Sequence, residues 1–506
     1  MRRALVSAAV PAAVLALALT GCTGEGGSSS GSDTGGDSTL TLAMNADITG
    51  WDPSNQPAFQ GWAGEAVWDR LIKCDEFGKP EADIAEEWTV SDDNTSFTAT
   101  IRDGMEFSDG TPVDSEAVAA TFEFAGSNGG AQGDFAGMTI ETPDAQTVTL
   151  TWPEPNPLIV SRICKTPITT KALLESGQVN DTPVGSGPYL YDASASTRGS
   201  IYKFTKNPDH WNADHYPYEH LELRVIESET ATVSALKTGQ IDGSLVTPQN
   251  LDEITASGLE TVTIEGTQTT RLLITDHLGE KIPALGDLRV RQAMNMVFDK
   301  QAMVDQLYAG NGKPAAQMFR EGSDAYIEGL EDPYPYDVEK AKELMAEAGY
   351  ADGFDVQLPT LQADNPLMPY VTQQLGEINI RVEQVPLTGA NAISDLLSGT
   401  YPVVLYQLGN VGDSLQDIDV VVRDTGFWNL SHQPDATVDE LWQQILTGDE
   451  DQKKAAQQEI NQYIVDQAWF APMVYVDSFY AYDADAVTID SVSDVEGLHP
   501  KLRDFQ

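Results

Sequence analysis

Ala85-Glu86-Glu87-Trp88-Thr89-Val90-Ser91-Asp92-Asp93-Asn94-Thr95-Ser96-Phe97-Thr98-Ala99-Thr100-Ile101-Arg102-Asp103-Gly104, continued by Phe107-Ser108-Asp109-Gly110-Thr111-Pro112-Val113, is the most informative stretch of the chain. Ser96 to Ile101 alternates apolar and polar residues, the period of a half-buried strand, and Arg102-Asp103-Gly104 ends it. Gly104 and Gly110 fit tight turns, and Pro112 fixes φ after the second. Asp114 then stands where a helix N-cap belongs, ahead of Ala117, Val118, Ala120 and Phe122. A strand, a turn and a helix follow one another within about thirty residues.

The same mixture extends in both directions. Thr39 to Met44 alternates as a strand, and Gly61 to Ile72 reads as a helix. Val148, Leu150 and Trp152 share one strand face, as do Leu221, Leu223 and Val225. A helix from Glu229 to Lys237 stops at Gly239, a C-cap signal. The clearest helix runs from Leu288 to Phe298, with Val290, Ala293, Met294, Val297 and Phe298 on one face. Others are expected between Asp337 and Gly349, around Thr437 to Leu446, and from Gln452 to Asp466. No fixed-period repeat interrupts the alternation, so the class is α/β.

With 506 residues the chain is long enough for about three lobes. Hydrophobic residues make up 41% and charged residues 21%, a globular composition. Asp and Glu number 78 against 29 Lys and Arg, a formal charge of −49, which argues against nucleic acid and anionic lipid as partners. Outside the Gly/Ser-rich residues 22–38, motifs of the form H-E-x-x-H, G-x-S-x-G and C-x-x-C are absent. Gly310-Asn311-Gly312-Lys313 is followed by Pro314 where a phosphate loop needs Ser or Thr. His210, His215 and His220 are spaced by five, which does not gather them on one helix face, and Pro208 and Pro217 argue for a loop. The reading is a protein without catalytic residues, metal or cofactor.

Arg2 and Arg3 precede an apolar run, Ala4 to Leu19, too short for a membrane span of about 20 residues and laid out as an export signal. Leu19-Thr20-Gly21-Cys22 resembles the bacterial lipoprotein box. That resemblance implies cleavage after residue 21 and a lipid on Cys22; an ordinary secretory signal is the other reading. Residues 22–38, rich in Gly, Ser, Thr and Asp, read as a flexible tether. Export implies an oxidising compartment and a Cys74–Cys164 disulfide worth about 4–5 kcal/mol by chain entropy, the alternative being two buried thiols.

Several further blocks join the opening stretch in order: Trp51-Asp52-Pro53; Gly185-Ser186-Gly187-Pro188-Tyr189; Lys206-Asn207-Pro208-Asp209-His210-Trp211; Ala235-Leu236-Lys237-Thr238-Gly239-Gln240-Ile241-Asp242; Asp287-Leu288-Arg289-Val290-Arg291-Gln292-Ala293; and Tyr336-Asp337 with Ala346-Glu347-Ala348-Gly349-Tyr350. Together they resemble the family 5 extracellular solute-binding proteins of ABC importers, which include oligopeptide, dipeptide and nickel binders. The resemblance implies a two-lobe, periplasmic-binding-protein-like α/β fold. Lobe I would span 39–270, with an extra subdomain at about 55–185; lobe II would span 271–473; and 474–506 would return to lobe I. Crossings are expected near Gln268 to Thr275 and Ala471 to Val476. The lobes would close on a ligand and dock on a membrane permease driven by a separate ATPase. A monomer is expected, exported and held by its lipid alone at the outer face of the plasma membrane, at the cell surface or in the periplasm.

Clefts between lobes are lined at strand ends. Asn45, Asp47, Phe59, Gln60 and Trp62 are candidates on the first lobe, Trp62 being equally readable as packing of the next helix. Peptide binders of the family carry Gly-Trp-x-x-Asp, whose aspartate holds the α-ammonium. Here Gly409-Asn410-Val411-Gly412-Asp413 stands in its place, so the resemblance puts Asp413 on the anchor and Asn410 on the tryptophan. An oligosaccharide would call instead for aromatic faces such as Trp62, Tyr406 or Trp428, and a nickel chelate could draw on His432. A hydrolase and a purely structural surface protein are the readings from other classes.

Overall fold

The computed structural model describes residues 38–57, 60–75, 77–128, 132–361, 365–388, 391–409, 413–489 and 499–506, within a folded unit that begins at Ser38. A nine-stranded sheet organises it. The first strand, Thr39–Met44, is central to one half. It lies parallel to His220–Val225, with Leu40 opposite Leu221 and Leu42 opposite Leu223, and parallel to Gly243–Val246 on its other side. Ile201–Lys206 and Tyr189–Tyr191 extend that half antiparallel. Leu40, Leu42, Leu221 and Leu223 are fully buried, which is the physical content of the alternation seen in the sequence.

Two long strands carry the sheet onward. Phe470–Tyr482 pairs antiparallel with Glu260–Ile274 along almost its whole length. Glu260 to Ile264 pairs with Tyr482 to Ser478, beside Gly243–Val246. Gln268 to Leu273 pairs with Val476 to Phe470, beside Val403–Gly409 and the short Gly312–Pro314. The register shifts between Ile264 and Gln268, where Gly266 adopts φ +60° and its amide donates to the Asp477 carboxylate at 2.9 Å. A glycine in the left-handed region is the economical way to build such a bulge. The stretches Gln268 to Thr275 and Ala471 to Val476 lie in or at the end of these strands.

Beyond the bulge, successive side chains of the same strand enter different cores. Leu272 joins Val290, Ala293, Met294 and Met345, while Leu273 joins Ile418, Trp442, Ile445 and Ile460. Helices Leu288–Met296 and Val338–Glu347 therefore cover one face, and Ala436–Thr447 and Glu450–Asp466 the other. A four-stranded antiparallel sheet, Ala85–Val90, Ser96–Ile101, Thr147–Thr151 and Thr139–Glu141, forms a separate core with helix Ser115–Ala125, which the Asp114 side chain caps by accepting from the Ala117 amide. Cys74 and Cys164 are disulfide-bonded, with α-carbons 5.6 Å apart.

One element is shorter than its apolar pattern suggests. The helix expected over Gly61 to Ile72 ends at Val67, Trp68 turns extended, and Ile72–Cys74 becomes a strand paired with Pro80–Ala82. The Gly187 amide donates to the Val67 carbonyl at 3.1 Å. A Cβ at Gly185 would lie 1.9 Å from that carbonyl oxygen, so the Gly185-Ser186-Gly187 loop occupies the space a further helical turn needs.

Candidate functional site

The carboxyl ends of the parallel strands Thr39–Met44, His220–Val225 and Gly243–Val246 meet a cavity of about 820 Å³. Asn45, Glu227 and Thr247 line it from those ends; Thr360 and Leu361 line it from the end of another parallel strand, Asp355–Thr360. Gln268 and Asp477 contribute from the two long strands, and Tyr406 and Gln407 from Val403–Gly409. A crevice at the carboxyl ends of strands, where the connections leave in opposite directions, is the usual ligand position in an open α/β sheet.

The polar part of the lining is mainly amides and hydroxyls, set among apolar side chains. The Tyr308 hydroxyl bonds Thr270 Oγ1 at 2.6 Å and reaches Gln407 Oε1 at 3.4 Å, and the Gln407 amide donates to Gln268. Glu229 Oε1 accepts from the Thr247 amide at 2.7 Å and from Asn250 at 2.6 Å, which fixes one wall. Burial pushes the Asp477 carboxyl above its ordinary value, against the Gly266 amide that favours its charged form. Burial likewise raises the Tyr406 hydroxyl, whose ring rests against Trp428 at 4.4 Å between centroids.

Asn45 and Tyr406 thus line the cavity. Trp428 backs Tyr406. Asp47 lies just past the strand end, its carboxylate accepting from the Tyr202 hydroxyl at 2.5 Å. Gln60 is buried and accepts from the Thr49 amide at 2.9 Å. Trp62 is a core residue: its indole donates to the Pro500 carbonyl at 2.8 Å, and its ring packs on His499, Tyr480 and Phe505. Gly409 pairs with Gln268 at the sheet edge. Phe59, Asn410 and Cys22 lie outside the described residues. Of the spaced histidines, His210 is buried against Asp69 at 3.2 Å, His215 ends a short turn and His220 pairs with Thr205. Among the described residues no three His, Cys, Asp or Glu side chains group as a metal site.

Asp413 stands apart from the cavity. It caps the short helix Ser414–Asp417 by accepting from the Leu415 amide at 3.0 Å, and it also accepts from the Ser161 hydroxyl. Beside it Arg162 bridges Asp134 at 2.8 Å and Asp419 at 3.0 Å, and Lys165 donates to Gln416. Ser161, Arg162 and Lys165 adjoin Cys164, so the disulfide anchors the segment that makes these contacts. Asp417, at the end of the helix Ser414–Asp417, is buried; burial pushes its carboxyl up to about 6, and the fully buried Arg271 guanidinium opposes the shift. The sequence does not mark Gln407 or Asp477 as site residues, and it marks Gln268 only as the start of an expected crossing. Their only signal is position, at the bulge and at a strand end.

The architecture is that of a solute-binding protein. The sequence matches the family of bacterial extracellular solute-binding proteins, family 5, over residues 79–426. The chain belongs to that family. It is 26% identical over 355 residues to the glutathione-binding protein GsiB of Salmonella paratyphi A, covering 68% of each chain. It is 26% identical over 360 residues to a putative ABC transporter peptide-binding protein of Brucella ovis, covering 68% of this chain and 65% of that one. In fold it resembles the ABC transporter substrate-binding protein CtaP of Listeria monocytogenes, with TM-score 0.79, 22% identity and coverage of 92% and 98%. The oligopeptide-binding protein AppA of Bacillus subtilis, solved with a nonapeptide, gives TM-score 0.75 at 18% identity, with coverage of 92% and 98%. No helix among the described residues is long and apolar enough to cross a membrane.

Proposed function

We propose that this protein is the substrate-binding lipoprotein of an ABC importer, capturing peptides between two closing lobes and passing them to a membrane permease powered by a separate ATPase. The observation that carries the reading is the cavity itself. Both halves of the nine-stranded sheet contribute to it, and the two long strands with the Gly266 bulge join those halves. Closure would bend that connection and shut the walls on the ligand.

A peptide needs its N–H and C=O groups matched, because each unmatched buried group costs about 1–3 kcal/mol. Asn45, Gln268, Gln407, Thr247 and Thr360 offer such partners. An oligosaccharide would favour stacking faces; of the three candidate aromatics Tyr406 lines the cavity, together with Tyr308 and Phe479, while Trp62 and Trp428 do not. Residues 1–21 would be the export signal, Cys22 the lipidated residue and 22–38 the tether. Lobe I would comprise 39–270 and 474–506, and lobe II 271–473. The protein would work as a monomer without turnover. Mass spectrometry of small molecules released on denaturing freshly purified protein tests this. Peptides are expected; sugars without peptides would overturn the ligand class, and cleavage of a labelled peptide would overturn the non-enzymatic role.

A further inference from the structure

The cavity contains carboxylates and, among the described residues, no lysine, arginine or histidine. Glu227 lines it with its side chain exposed and without a partner among the described residues, and Asp477 lines it half-buried. Glu229 is already held by Thr247 and Asn250. Lys313, whose charge reaches Asp477, is outside the lining and ion-paired to Glu265 at 2.6 Å. Arg271 is fully buried and outside the lining as well.

We infer that the cavity selects a peptide-like solute that is cationic and brings no free carboxylate into it, with Glu227 and Asp477 as the residues that set this charge preference. The inference rests on the peptide-capture reading and narrows it. A ligand carboxylate shut into this space would lose its water and gain no cation, and an unpaired buried charge is strongly unfavourable. An ammonium or guanidinium would instead meet the Glu227 or the Asp477 carboxylate. The net charge of −49 acts in the same direction at longer range.

The test is calorimetric titration of the full mature chain with three probes: Ala-Lys-Ala amide, Ala-Lys-Ala free acid and Ala-Glu-Ala free acid. The amide is expected to bind roughly tenfold or more tightly than its free acid, with the glutamate peptide weakest. The Glu227→Gln, Asp477→Asn double variant is expected to bring the amide and the acid within about threefold of each other. Equal or tighter binding of a free acid by the unsubstituted protein would overturn the charge preference and leave peptide capture standing. Failure of all three probes to bind at millimolar concentration would overturn peptide capture and the charge preference together.

Discussion

The Ser161 hydroxyl donates to the Asp413 carboxylate across 252 residues of sequence. The carboxylate that the family pattern places at a peptide's ammonium is here occupied by a protein donor, and Gln416 Nε2 also donates to it at 3.2 Å. A bound ammonium would have to displace or share these donors. Should lobe closure bring Asp413 to the ligand as the family pattern implies, Asp413→Asn would lower peptide affinity by roughly 2–4 kcal/mol, measured by calorimetry. Ser161→Ala, which frees the carboxylate, should leave affinity unchanged or raise it. Unchanged affinity in Asp413→Asn would remove that residue from the site.

Arg162 holds Asp134 and Asp419 together from partly buried positions. Arg162→Met is expected to loosen the contact between the disulfide-anchored segment and the segment around Asp419, at a cost of about 1–2 kcal/mol. An increased radius of gyration in X-ray scattering without ligand is the readout. An unchanged scattering curve would show that the pair does not hold the compact form.

Gly266 has room for a methyl group, since the nearest atom to a Cβ there is Tyr475 Cβ at 3.9 Å, yet its φ is +60°. Gly266→Ala should therefore cost about 1 kcal/mol through backbone strain alone. Urea denaturation measures the loss. A neutral result would mean that the bulge relaxes to negative φ.

His277 stacks on Trp469 at 4.0 Å, and burial, reinforced by the Arg291 guanidinium, pushes it down to about 4 from 6.5. The native state therefore holds this imidazole neutral while the unfolded chain protonates it. Its contribution is fully present above pH 6.5 and is lost as the pH falls toward 4. His277→Phe should flatten that slope by an amount on the order of 2 kcal/mol, followed by thermal unfolding across the same window. An identical slope in the variant would contradict this.

The Cys74–Cys164 bond closes a loop of 90 residues. Replacing both cysteines with serine should destabilise the protein by about 4–5 kcal/mol by chain entropy. Chemical denaturation of the two proteins side by side decides it.

Alternation and capping made much of the fold legible. Leu40 and Leu42 had to share a face with Leu221 and Leu223 for either strand to be buried, and Asp114 had no better use than to cap a helix. The Gly61 helix is shorter than its local pattern because its terminator, the Gly185–Gly187 loop, lies over a hundred residues away. Trp62 could be read two ways for the same reason: indole suits a core and a cleft equally, and only the C-terminal Pro500 and Phe505 settle where it packs.

By itself the sequence determined the class, the family and most strand faces, because period, caps and turn residues act over a few neighbours. Tertiary structure alone decided which side chains share the cavity. Asn45, Gln268, Tyr406 and Asp477 meet there through strand pairing across more than 400 residues, and no local preference encodes such a meeting. It likewise decided that Asp413 is engaged by Ser161, since a carboxylate's partner is set by what the fold brings within hydrogen-bonding distance.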